Sequence, residues 1–383
     1  MQKVFEDIVT VIKEAFPAQT FIPLHAPVFP GNERKYVLDA INSTYVSSVG
    51  AYVNKFEQMM CEITGASHAV AIVNGTNALH LALLLAGVER EDEVLSQSLT
   101  FIATCNAISY VSATPVFIDV DKDTIGMSPE SLRQFLDKNA RKGQNGFCYN
   151  KQSGKRIKAC VPMHTFGLPC RVDEIAQICD QWNIMLVEDA AESLGSSYKG
   201  KHTGTFGQLG TFSFNGNKTV TCGGGGAIVT SDEKLARQAK HLSTQAKVPH
   251  VWEFVHDEVG FNYRMPNLNA ALACAQLEQL NSFVSNKRDL AHQYQKKLKS
   301  LNVAILEEMT DAKSNYWLSG ILLENRRQRD EFLKFSNDNG VMTRPVWELM
   351  HRLRMFSGGV NSPLPNSEWI ADRLVNIPSS VRL

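Results

Sequence analysis

None of the eight cysteines (positions 61, 105, 148, 160, 170, 179, 222 and 274) stands in a C-x-x-C pair. That removes the spacing of a zinc site and of a small disulfide framework, so neither a structural metal nor disulfide bridges are expected. Scattered in this way, the cysteines read as buried or free thiols of a reducing cytoplasm. Neither sign of charge is in excess, with 39 Lys plus Arg against 39 Asp plus Glu. With no basic stripe carrying interleaved aromatics either, nucleic acid is not an expected partner. The opening "MQKVFEDIVTVIKEAF" breaks its apolar residues with acids, which excludes a secretory leader and a membrane span there. The phosphate-binding signatures G-x-x-x-x-G-K and G-x-G-x-x-G are both absent. No internal repeat and no low-complexity tract is found.

What the chain does have is the make-up of a soluble globular protein of 383 residues, 44% hydrophobic and 20% charged. That length suggests one larger and one smaller domain. Val4, Ile8, Val9, Ile12 and Phe16 recur at helical spacing, giving an amphipathic N-terminal helix within an arm of residues 1–24. Between residues 50 and 230, short apolar runs alternate with helix-length segments: "AVAIV" (69–73), "PVFID" (115–119), "ACVPM" (159–163) and "IMLVED" (184–189). Runs apolar on both faces suit buried parallel strands joined by helical crossovers. The fold class is therefore α/β, with a large domain over residues 25–265 built on a mostly parallel sheet. The polar stretch 139–158 is expected as an exposed insertion. From residue 262 a long helix is expected, followed by a strand in "SNYWLSGILL" and a helix in "RQRDEFLKFSNDNG", which makes residues 266–383 a smaller α+β domain.

In open α/β sheets chemistry gathers at the carboxyl ends of strands, so those positions are the ones to inspect. "NGTNALHLALLLAG" follows the first run, and its Gly75 and Thr76 open a helix. Free backbone N–H groups, a hydroxyl and the positive end of a helix dipole make a phosphate cradle there, though Asn74 or Thr76 could equally be a plain cap. Asp189 ends a buried strand, where a carboxylate is costly unless it meets a cation or several donors. Such a residue either caps the following "AAESL" or holds a protonated ring nitrogen, and Glu192 would reach the same pocket. Lys218, in "GTFSFNGNK", follows a strand with Ser213 five residues before it and Gly223–Gly226 just after it. A lysine so held can be a nucleophilic amine and proton shuttle toward a pyridine aldehyde, with Ser213 adding a hydroxyl to the phosphate site. The glycine run would let the chain turn beside the cofactor. A phosphate turn, an acid, a hydroxyl and a lysine, in that order, are the parts of a pyridoxal 5'-phosphate enzyme. His164 after "VPM", and Arg344, Trp347 and His351 in "TRPVWELMH", are further candidates for the pocket and its entrance.

These stretches, with "TYVSSVGAYVNKFE", "LTFIATCNAI", "VPMHTFGLP", "GGGGAIVT", "GFNYRMPNLNAALACAQLEQL" and "NIPSS", resemble the DegT/DnrJ/EryC1/StrS sugar aminotransferases over about residues 22–380. The branch most similar acts on UDP-linked 4-keto-6-deoxy-N-acetylhexosamines. The resemblance implies the aspartate-aminotransferase-like (type I) fold and a homodimer with shared active sites. It implies Lys218 as the Schiff-base lysine, Asp189 as the partner of the pyridinium nitrogen, and Glu192 near the cofactor's 3-hydroxyl. Gly75, Thr76 and Ser213 match the phosphate contacts, and Phe101 the aromatic lying on the ring. Asn262 matches a residue reaching the neighbouring subunit's phosphate, with Arg264 close behind. The expected reaction moves an amino group from L-glutamate to C4 of the UDP-linked sugar. GDP- or dTDP-linked sugars and a C3 ketone stand as alternatives. Two other activities are weighed against it. A sugar dehydratase of this fold carries histidine where Lys218 stands, and a non-catalytic regulator would add a DNA-binding segment that this chain does not show. The family often has proline before "LTF", where this chain has Ser98, and Cys105 and Cys222 replace smaller expected residues.

Overall fold

The computed structural model describes residues 2–382. A seven-stranded sheet forms its centre, in the order His68–Ile72, Gly226–Thr230, Leu209–Ser213, Met185–Asp189, Ile157–Val161, Glu93–Gln97 and Thr114–Ile118. Only the Gly226–Thr230 strand opposes the rest, pairing antiparallel with both of its neighbours. The four expected apolar runs all become sheet strands, displaced by no more than two residues at either end. Their side chains are shielded on both faces, as in Ala71, Val116, Cys160 and Val187. This explains why they read as continuous runs rather than as alternation.

Residues 139–158 are largely exposed or half-buried and lead into the next strand, as expected, but they are not a plain loop. They form a hairpin, Ala140–Lys142 against Cys148–Asn150, before the next strand begins. Cys148 and Asn150 are buried, and Asn150 donates to Glu93 Oε2 at 2.8 Å. The polar composition hid a tether to the sheet.

The long helix expected from residue 262 is two helices, Asn267–Leu277 and Leu280–Ser300, broken at 278–279. The first packs Ala270, Ala273, Cys274 and Leu277 against Val53, Phe56 and Met60 of the Ala51–Thr64 helix. The second turns its apolar side to another core. There Leu290, Tyr294 and Leu298 meet Phe5, Ile8 and Ile12 of the N-terminal helix Gln2–Ala15, together with Phe332 and Ile377. We therefore place the division between the domains near residue 279 rather than 265, and count the N-terminal helix with the smaller domain.

That smaller domain holds an antiparallel sheet in the order Ala304–Ile305, Ser319–Leu322, Leu374–Ile377, Arg344–Pro345. A strap after the N-terminal helix joins it, with Ile22 N donating to Gly340 O and Ser379 N to Leu24 O. No helix among the described residues is long and apolar enough to cross a membrane.

Candidate active site

The carboxyl ends of five strands converge on a cavity of about 290 Å³. Each expected cofactor residue except Asn262 lines it: Gly75, Thr76, Phe101, Asp189, Glu192, Ser213 and Lys218. The turn after His68–Ile72 is built for close approach. Asn74 caps the Gly75–Leu85 helix, its Oδ1 accepting from Asn77 N at 2.8 Å. The cap leaves the Gly75 and Thr76 N–H groups at the helix mouth. A Cβ on Gly75 would lie 2.8 Å from Ser213 Cβ, so only glycine lets the two strand ends meet. The glycine run serves this turn from behind and does not border the cavity. A Cβ on Gly226 would fall 2.4 Å from Asn74 O.

Asp189 is buried, accepting from Thr104 Oγ1 at 2.7 Å and from Ala191 N at 3.2 Å. No helix follows it, so capping is not its role. Burial raises its carboxyl above the ordinary range, against the pull of those donors and of Lys218. Glu192 is equally buried. Its Oε2 accepts from Phe166 N at 2.9 Å and its Oε1 lies 3.2 Å from Lys218 Nζ. Burial lifts Glu192 to about 7 even with Lys218 pulling it down. Lys218 Nζ also sits 4.0 Å from the centroid of the Trp317 ring.

Trp317 comes from the other domain. Its Nε1 donates to Asn217 O at 2.6 Å, beside the lysine, and its backbone N to Asn315 Oδ1. Trp317 and Thr104 were not foreseen as site residues, and nothing in their sequence neighbourhood marks them. Trp347 lines the cavity as well, its ring 5.9 Å from that of Phe101.

The expected substrate residues fall elsewhere. His164 is fully buried behind the sheet, its Nε2 on Glu188 Oε2 at 3.0 Å and its Nδ1 accepting from Cys170 N at 3.3 Å. Glu188 also takes the N–H groups of Gly204 and Gly207. His164 is thus a satisfied internal residue. Arg264 pairs with Glu57 Oε1 at 2.6 Å, and Glu57 in turn accepts from Ala71 N, so the pair bolts a helix to the sheet. Arg344 bonds to Asn337 Oδ1 and Thr343 O on an exposed edge strand. His351 bonds to Ser98 Oγ at 2.7 Å, anchoring the segment after Trp347. None of the four lines the cavity. Asn262 is exposed on a strand-like bridge to Thr244, away from it.

Two histidines nearby are held neutral. His202 donates to Thr203 O and accepts from Gly195 N at 2.9 Å, and burial lowers it to about 4. His25, whose ring lies 6.5 Å from that of Trp317, has both nitrogens buried without a partner, and burial drives it well below its ordinary 6.5. A histidine lowered on folding supports stability above pH 6.5 and loses that support as pH falls. Glu192, raised on folding, acts in the opposite direction. His25→Phe is therefore expected to flatten the acid-side loss between pH 6.5 and 5 by up to one proton, at most about 1.4 kcal/mol per pH unit. Denaturant midpoints across that range check it, and an unchanged slope would count against a neutral His25.

The family model for the DegT/DnrJ/EryC1/StrS aminotransferase family matches residues 30–383. The chain belongs to that family, and it is a sugar aminotransferase that works with pyridoxal 5'-phosphate. It is 38% identical over 359 residues to the GDP-perosamine synthase of Escherichia coli O157:H7, covering 94% of this chain and 93% of that one. Against the GDP-perosamine synthase of Vibrio cholerae the identity is 34% over 361 residues, with 94% of each chain covered. The structure of the aminotransferase TlmJ from Streptoalloteichus hindustanus superposes with a TM-score of 0.85 at 26% identity, covering 94% and 93%. The names of the two synthases carry a GDP-linked sugar, not the UDP-linked branch expected from the sequence.

Proposed function

We propose that this aminotransferase moves an amino group from an amino acid, L-glutamate, to C4 of a GDP-linked 4-keto-6-deoxy sugar. One observation carries the reading: an amine, two buried carboxylates and a glycine-threonine helix mouth share one cavity. The GDP-linked form takes precedence over the UDP-linked N-acetyl sugar because relatives 34–38% identical are named for a GDP-linked product.

The residues present fit pyridoxal phosphate. The Gly75 and Thr76 N–H groups with the Thr76 and Ser213 hydroxyls form a donor set for its phosphate. Asp189 would face its ring nitrogen and Phe101 its ring. When bound, the cofactor supplies an electron sink for the carbanion formed at a substrate carbon. Among the described residues Lys218 Nζ is the only amine lining the cavity, and so the group that takes and returns a proton at the reacting carbon. Glu192, poised near neutrality, can hold a proton at Oε1 as the lysine changes charge. Trp317 and Trp347 shield the site from water.

Asn262 and the exposed Val251, Trp252, Phe254 and Val259 fit a contact with a second copy. In the shared-site reading, mixing Asn262→Ala with Lys218→Ala subunits should restore activity in mixed dimers. Full activity of isolated monomers would end that reading.

The substrate is tested by supplying L-glutamate with GDP-, UDP- and dTDP-linked 4-keto sugars and identifying products by mass and NMR. Turnover of the GDP-linked sugar at least tenfold above the rest is expected. Preference for the UDP-N-acetyl compound would overturn the sugar while leaving the aminotransferase intact.

A further inference from the structure

Beside the catalytic cavity lies a second hollow, of about 230 Å³, lined by Arg326, Arg329, Arg352, Trp347, Glu348 and Pro345 among others. Trp347 is common to both. We propose that this hollow seats the diphosphate of the nucleotide sugar, an inference that rests on the nucleotide-sugar reading above.

The arginines are not equally engaged. Arg329 is the most engaged, each of its three nitrogens donating, two to Asp330 Oδ1 at 2.7 and 2.9 Å and one to Ala371 O. Arg326 and Arg352 are held loosely. Arg326 reaches Asp330 and Asp372 only at 3.9 Å. Arg352 reaches Glu348 at 3.4 Å and Glu368 at 3.9 Å. Among the described residues neither guanidinium has a closer side-chain partner, so most of their N–H donors remain available. A guanidinium presents donors in a planar fork that matches two phosphate oxygens at once.

The local sequence is otherwise hard to account for. The Arg326–Asp338 helix starts "RRQRDE" and has no acid in its first turn. Cations at a helix N-terminus oppose the dipole and cost stability, whereas an anion lodged among them reverses the sign. Of these, Arg326 and Arg329 line the hollow and Arg327 does not.

The placement also suits the chemistry. C4 and C1 of a pyranose are at opposite ends of the ring. With the keto carbon toward Lys218, the C1 oxygen and its phosphates point out of the cavity, where Trp347 separates it from the arginines. The site would read the diphosphate that every nucleotide sugar carries and leave the base to other contacts.

The test is calorimetric binding of GDP, UDP and guanosine to the cofactor-loaded enzyme and its variants, with steady-state KM for the accepted sugar alongside. Arg326→Ala and Arg352→Ala should each weaken GDP and UDP roughly ten- to a hundredfold, the loss expected for a charge-assisted hydrogen bond. The sugar's KM should rise in parallel, and guanosine affinity should not move. Arg327→Ala, on the same turn but outside the hollow, should leave GDP binding as it was. All three positions are exposed or loosely held, and thermal melts confirm folding. If wild type binds GDP or UDP and both hollow variants bind it equally well, the diphosphate lies elsewhere and only this inference falls. If wild type binds neither nucleotide, the nucleotide-sugar reading falls with it.

Discussion

Lys218→Ala should reduce turnover by on the order of 10⁵-fold or more, the scale seen when a nucleophile that acts in concert with its neighbours is removed. Among the described residues no other amine lines the cavity, so none of their side chains can take over the proton transfer. The fold should tolerate the change. Removing one member of a buried ion pair commonly costs about 3–5 kcal/mol because a charge is stranded. Here the stranded group is Glu192, already lifted to about 7, which escapes the penalty by binding a proton. The expected signature is therefore an inactive protein with a nearly unchanged melting temperature and no visible absorbance band from lysine-bound cofactor. Partial rescue by a small exogenous amine would tie the loss to Nζ. Activity within tenfold of wild type would remove Lys218 from the chemistry.

Asp189→Asn should separate activity from stability in the other direction. The amide keeps the shape and can still accept from Thr104 Oγ1, but it carries no charge to hold a proton on the cofactor's ring. Loss of such a preorganised electrostatic contact is worth about 10²–10³ in kcat. In the cofactor-free protein, however, the carboxylate is a liability. Burial raises its pKa, so holding it ionised at neutral pH opposes folding, and the opposition grows as pH rises. The variant without cofactor should therefore melt at or above the wild-type temperature, while the gain on adding cofactor should shrink. Paired melts with and without pyridoxal phosphate, together with kcat, decide it. Near-normal kcat would exclude Asp189 from this role.

The sheet and most of the expected residues that line the cavity were legible because their signals are local. A buried parallel strand is a short unbroken apolar run, and the residue that ends it projects where ligands bind. Parity sets the limit of that reading. Glu188 and Asp189 are adjacent acids at one strand end, and successive side chains face opposite sides of a sheet. Asp189 enters the cavity, and Glu188 points behind the sheet to His164. The sequence offers no mark of which side is which, so His164 looked like a pocket residue. Trp317 was hidden for a different reason. It stands about a hundred positions from Lys218 and meets it only because the two domains dock. The break at 278–279 is equally tertiary, since two cores draw the two helices to different sides. Sugar identity rests on a handful of side chains and left only the resemblance to a UDP-sugar branch, whereas the perosamine synthases similar to this chain are named for a GDP-linked sugar.

The order of strands in the smaller sheet has a consequence for how the chain is made. Leu374–Ile377 lies inside that sheet, between Ser319–Leu322 and Arg344–Pro345, yet it follows both of them in the chain. The Gln2–Ala15 helix precedes the large sheet in the chain, whereas its partners Tyr294, Phe332 and Ile377 all follow that sheet. The large sheet is complete once Thr230 has emerged and can fold while translation continues. The Gln2–Ala15 helix must instead wait with Phe5, Ile8 and Ile12 uncovered until Leu290, Tyr294 and Phe332 have emerged, on the order of tens of seconds at ordinary elongation rates. Stalling before Tyr294 has emerged would thus leave a folded large sheet preceded by an adhesive helix, a substrate for chaperones and an early site of misassembly between nascent chains.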